Sequence, residues 1–195
     1  MRSRSVTPPK RPALPSDKFH KVGERTVYQG NLLHVAQGTF EGPGGERFER
    51  DLVHHPGAVV TVPVDERTGE VVFVRQYRAP LDSELLEVPA GRRDVPGEPP
   101  ERAAARELVE ETGLEAGRLD LIGRFFNSPG FSDEESWCFL ARDLKEVADA
   151  RHGIEEQHMT VERYPLAEVG ELVRSGHITD AKTIVALFLA QAELG

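Results

Sequence analysis

The chain has one cysteine in 195 residues, Cys138, so no internal disulfide can brace it. That agrees with a reducing, cytoplasmic setting. Cys138 lies in the apolar run Trp137-Cys138-Phe139-Leu140, surroundings that suit a buried structural thiol rather than a nucleophile. Long apolar runs are missing too. Their absence excludes a transmembrane helix, and no signal-peptide pattern opens the sequence. Positive charge is in deficit, with 24 Lys and Arg against 33 Asp and Glu, a net charge of −9. This argues against nucleic acid as a partner. It also means that an anionic ligand must be met by metal ions or by locally placed arginines. Apolar residues are not scarce. At 38% they suffice for a proper core, in a chain whose length suits one domain with a small accessory piece.

Three regions differ in pattern. Residues 1–17 are basic, proline-rich and nearly without apolar periodicity, which predicts a mobile arm. Residues 18–55 carry short strand-like runs at Val27-Tyr28, Leu32 to Val35 and Phe48 to Val53. Turns are supplied by Gly30-Asn31 and Gly42-Pro43-Gly44-Gly45. Together they predict a small antiparallel meander, too slight to stand alone. Residues 56–195 predict an α/β domain. Ala58 to Val64 and Val71 to Arg78 form a hairpin around Asp65 to Gly69, and Leu85 to Gly91 is a strand running into a loop. A helix follows, then strands at Leu119 to Phe126, Ser136 to Arg142 and Thr160 to Tyr164. Helices near Leu166 to Ser175 and Asp180 to Leu194 close the chain.

The central helix carries the chemistry. Pro99 and Pro100 suit a first turn, Ala103, Ala104, Ala105 and Leu108 favour the interior, and Gly113 suits the left-handed residue past the end. Glu107, Glu110 and Glu111 stand at i, i+3 and i+4, on one face. Three carboxylates there repel one another unless a cation sits among them. A hard divalent ion such as Mg2+ or Mn2+, which prefers oxygen ligands, fits that need. An acidic solvated face is the plain alternative.

The wider pattern resembles the Nudix box, Gly-x5-Glu-x7-Arg-Glu-U-x-Glu-Glu-x-Gly-U, with U a bulky aliphatic residue. Glu98, seven spacers, Arg106-Glu107, Leu108, Glu110-Glu111, Gly113 and Leu114 match it. Gly91 lies one residue farther from Glu98 than the box has it, so residues 92–97 carry a single insertion. The resemblance implies an α/β/α sandwich with a mixed sheet. It also implies two to three Mg2+ or Mn2+ ions held by Glu107, Glu110, Glu111 and the Ala90 carbonyl. Arg106 is implied as the residue that orients a site glutamate.

Two further stretches are similar to ADP-ribose pyrophosphatases within that family. Ser128-Pro129-Gly130 follows the box with Pro129 sixteen positions after Gly113, and Val74-Arg75-Gln76-Tyr77-Arg78 is like the subfamily's strand end. Pro129 and Gly130 are therefore expected near substrate. Arg78, and more weakly Arg75, is expected on the diphosphate or terminal ribose, since a guanidinium fork suits phosphate oxygens. An ion pair of Arg78 with Glu84 or Glu87 is the other reading. Glu155 or Glu156, in residues 148–159, is expected to be the general base, with the sequence not choosing between them. The activity implied is hydrolysis of ADP-ribose to AMP and ribose 5-phosphate. Another sugar nucleotide such as GDP-mannose, or a non-catalytic ADP-ribose sensor, stays open. The resemblance also implies a homodimer whose adenine pocket borrows from the partner's residues 19–55, Arg50 or Glu49 among them.

Overall fold

The computed structural model describes residues 18–31, 33–147 and 158–195. The arm at 1–17 and the candidate bases Glu155 and Glu156 lie outside the described residues. The chain divides into two compact units. One contains the N-terminal sheet together with Phe126–Glu135. The other contains Ala58–Phe125 and Ser136–Gly195.

The N-terminal sheet is an antiparallel meander of β1 (His20–Gln29), β2 (His34–Glu41) and β3 (Arg47–His54), in that order. The β2–β3 turn is closed by the Gly45 N–H on the Gly42 carbonyl at 3.0 Å, and Gly45 has φ 81°, a value glycine adopts without strain. Strand β1 is far longer than the Val27-Tyr28 run suggested. All ten of its residues are exposed, so it has no buried face to write an apolar alternation into the sequence. Phe126–Glu135 joins this unit through β3. Val53 donates its N–H to the Phe131 carbonyl at 2.8 Å, and the Asp133 N–H returns to the Val53 carbonyl at 3.2 Å.

The larger unit is built on a seven-stranded mixed sheet. Its main path runs β10 (Thr160–Pro165), β5 (Glu70–Arg78), β4 (Ala58–Asp65), β9 (Glu135–Glu146), β8 (Leu114–Phe126). The β4–β9 pairing is parallel. All eight residues of β4 are buried, as suits a largely apolar strand covered on both faces. Alternation then assigns the layers. Val60, Val62 and Val64 pack with Ala186, Leu187 and Ala190 of α3 (Ala181–Leu194). Val59 points the other way, onto Ala103 and Ala104 of α1 (Pro100–Thr112). Helices on opposite faces of one mixed sheet make the expected sandwich. Each fully buried valine or leucine contributes about 1.5–3 kcal/mol.

Local rules place the helices that hold the site. Pro100 opens α1, and Gly113 ends it at φ 68°, its N–H returning to the Val109 carbonyl at 2.9 Å. Asp180 caps α3 by accepting the Thr183 N–H at 2.9 Å, an interaction typically contributing about 1 kcal/mol. The helix expected near Leu166 to Ser175 is a 3-10 turn at Leu166–Glu168 followed by the short α2 (Val169–Arg174). Leu85 to Gly91 is two strands, not one. β6 (Ser83–Glu87) pairs with β5, and β7 (Ala90–Arg92) pairs with β4. Between them Pro89 has no N–H for a ladder, so the chain changes partners there.

Candidate active site

Helix α1 presents Glu107, Glu110 and Glu111 on one face, with Arg106 among them. Arg106 Nη1 donates to Glu107 Oε1 at 2.8 Å and to Glu110 Oε2 at 2.9 Å. Its Nη2 and Nε reach the two oxygens of Glu98 at 3.1 and 3.3 Å. One guanidinium thus bonds three carboxylates, those of Glu98, Glu107 and Glu110. Glu98 had matched the box without being given a task.

Glu111 differs from its neighbours. It is only 5% exposed, and among the described residues its hydrogen-bond donor is the Ala90 N–H, 3.0 Å from Oε2. Burial pushes its carboxyl up to about 8, helped by the like charge of Glu107. Glu107 is also held above its ordinary value, again by burial first. Gly91 shows how closely this face is packed. A Cβ added there would lie 1.9 Å from Glu107 Cδ, so the missing side chain is the space that Glu107 occupies.

Such a set fits a hard divalent cation. Its donors are oxygens, and two carboxylates are desolvated beyond what Arg106 and one N–H compensate. Ala90, expected as a carbonyl ligand, sits at this face through its N–H, on a strand that pairs with Val60.

The expected arginines are already engaged. Arg78 forks onto Glu87, Nε to Oε1 and Nη2 to Oε2, both at 2.7 Å. Glu87 is fully buried and also takes Lys182 of α3, which in turn pairs with Asp180 at 2.9 Å. The charges of Arg78 and Glu87 act on Glu111 in opposite senses, so this cluster neighbours the carboxylate face. Glu87 was legible as a charge inside the run Leu85 to Val88. Nothing in the sequence pointed to Lys182. Arg75 closes on Glu162 at 2.5 and 3.2 Å, and Tyr164 holds the same carboxylate. Pro129 and Gly130 lie in the N-terminal unit, in a turn where the Phe131 and Ser132 N–H groups return to the Ser128 carbonyl at 3.1 and 2.9 Å.

Comparison with known proteins bears on the same elements. Residues 54–188 match the NUDIX domain. An ADP-ribose pyrophosphatase of Mycobacterium tuberculosis is 37% identical over 174 residues, covering 89% of this chain and 84% of that one. An ADP-ribose pyrophosphatase of Bacillus subtilis is 36% identical over 166 residues, covering 85% and 89%. The crystal structure of an ADP compounds hydrolase superposes with a TM-score of 0.79 at 26% identity, over 91% of this chain and 94% of that one. The match runs from before β4 into α3, and includes the helix that carries Glu107, Glu110 and Glu111. On that ground the chain belongs to the Nudix family of pyrophosphohydrolases.

Proposed function

We propose that the protein hydrolyses ADP-ribose to AMP and ribose 5-phosphate with Mg2+ or Mn2+ as cofactor. The observation that carries the chemistry is the carboxylate face of α1, with Glu107 fitted against Gly91 and Glu111 buried and held above its ordinary value. The substrate rests on the relatives, two of which are ADP-ribose pyrophosphatases.

In this reading Glu107, Glu110, Glu111 and the Ala90 carbonyl hold two to three ions. When bound, such ions neutralise diphosphate charge and lower the pKa of water. The residues supply the rest. Arg106 keeps Glu107 and Glu110 in place by its two Nη1 bonds. Glu155 or Glu156 accepts a proton from the attacking water. The water oxygen bonds to one phosphorus, by resemblance that on the adenosine side, as the bridging P–O bond breaks. Ribose 5-phosphate then leaves with the bridging oxygen. The Arg78 fork on Glu87 uses Nε and Nη2. We assign its Nη1 to a diphosphate or ribose oxygen. Arg75, Pro129 and Gly130 remain assigned to substrate by resemblance alone. A cytoplasmic homodimer, each subunit lending residues 19–55 to its partner's adenine pocket, completes the proposal.

The test is a panel of nucleotide sugars with product identification. ADP-ribose is expected to give AMP in a Mg2+-dependent way, faster than GDP-mannose. In labelled water, the heavy oxygen is expected in AMP. A preference for GDP-mannose would replace the substrate, and label in ribose 5-phosphate would move the attack to the other phosphorus.

A further inference from the structure

The N-terminal sheet carries a second cluster of ligand-type side chains, in the other unit from the carboxylate face. Glu24 and Thr26 of β1, His34 of β2 and His54 of β3 share one face of the sheet. Thr26 pairs with Ala36, two residues from His34, and His34 pairs directly with His54. Alternation does the rest. One ligand atom each from Glu24, His34 and His54 lies within 4.8 Å of the others.

The geometry around His54 is directional. Its Nδ1 is 2.6 Å from Asp133 Oδ2, and its Nε2 is 3.0 Å from Glu24 Oε1. The other oxygen of Asp133 accepts the His55 N–H at 2.9 Å, so the carboxylate is itself held. A carboxylate on one imidazole nitrogen, with the second nitrogen turned to further ligands, is how metal-binding histidines are oriented. His34 Nε2 is 2.9 Å from Thr26 Oγ1, and the His34 and His54 rings lie with centroids 5.2 Å apart, tilted by 42°.

We propose that Glu24, His34 and His54 bind a borderline divalent cation, with Zn2+ as the type, and that Asp133 orients His54 for it. Two imidazoles and one carboxylate suit Zn2+, Co2+ or Ni2+ over Mg2+, which takes oxygen ligands. Three protein ligands leave one tetrahedral position for water. The ion acts as a clip. It joins all three strands to Phe126–Glu135, in a sheet whose first strand buries none of its residues. Small sheets with little core need such a brace.

The experiment is calorimetric titration of chelator-stripped full-length protein with Zn2+ in excess Mg2+, followed by Co2+ absorption spectroscopy. Wild type is expected to bind one Zn2+ per chain at this site and to melt at higher temperature when loaded. Its Co2+ spectrum is expected to show nitrogen ligation. The double variant His34→Ala, His54→Ala is expected to lose this binding event and the spectrum. Asp133→Asn is expected to weaken binding about 10- to 100-fold, the usual effect of removing a ligand's orienting partner. Glu24→Gln, on an exposed strand, is expected to weaken it with unchanged circular dichroism, and it decides the matter if the double variant does not fold. Zn2+ affinity unchanged in Glu24→Gln and in the histidine variant, or no saturable Zn2+ binding by wild type, overturns the proposal.

Discussion

The two units arrange charged side chains in opposite ways. In the larger one, carboxylates are set on a helix packed against a fully buried strand, and burial itself raises Glu107 and Glu111 above their ordinary values. In the N-terminal one, Glu24, His34, His54 and Asp133 come from three strands and a distant loop, on a sheet with one wholly exposed strand. The first arrangement is local in sequence and buried at Glu111. The second is assembled across 109 positions of chain and wetter. On the helix, Arg106 pairs Glu107 and Glu110 while Glu111 keeps a single backbone donor; on the sheet, His54 is held between Asp133 and Glu24.

The largest effect separating the regions is expected at the general base. Glu155→Gln and Glu156→Gln should differ, with only the true base costing about 10²- to 10⁴-fold in turnover at little change in substrate affinity. Normal turnover in both single variants and the double variant would move the base elsewhere. Next comes Gly91→Ala. The new methyl meets the end of the flexible Glu107 side chain rather than backbone, so the fold should survive while the carboxylate is displaced. A loss of about 10²-fold in turnover is expected, comparable with removing one transition-state stabilising group. Wild-type activity in this variant would show that Glu107 need not sit where it does.

The contrast extends to ion pairs. Glu87→Ala removes the buried partner of Arg78 and Lys182 and is expected to cost about 3–5 kcal/mol in denaturant unfolding. Glu41→Ala breaks an exposed pair with Arg47 on the N-terminal sheet and is expected to cost less than about 1 kcal/mol. Equal costs would erase the distinction between the two regions.

This contrast also explains what was legible in the sequence. A helix repeats its face every three to four residues, so Glu107, Glu110 and Glu111 could be placed together from spacing alone, whereas Arg106 entered only through the resemblance to the box. The apolar run of β4 and the closing helix followed from period and composition. Strand register is not written locally, so nothing linked His54 to Glu24, 30 positions away, or to Asp133, 79 positions away. The split of Leu85 to Gly91 at Pro89 was visible as a proline but not as a change of sheet partner. Arg78 was read first as a substrate residue and second as an ion pair. Its fork on Glu87 is the second reading, and a substrate role now rests on its remaining nitrogen.

A smaller effect follows from pH. The raised carboxyl of Glu111 stabilises metal-free protein fully below the unfolded carboxyl value of about 4.3, and that stability is lost as pH rises through about 8. Mg2+ should therefore raise the melting temperature more at pH 9 than at pH 6. An equal rise at both would separate Glu111 from the metal. The smallest effect concerns Cys138, whose buried thiol is pushed up to about 12. It should resist alkylation at neutral pH until the protein unfolds.

The most direct test of the carboxylate face is Glu111→Gln, which keeps the side chain's size and removes its charge. Mg2+-dependent AMP release from ADP-ribose is measured alongside thermal unfolding. Turnover is expected to fall about 10²-fold or more with the fold intact. Activity within a few-fold of wild type at saturating Mg2+ would contradict the account.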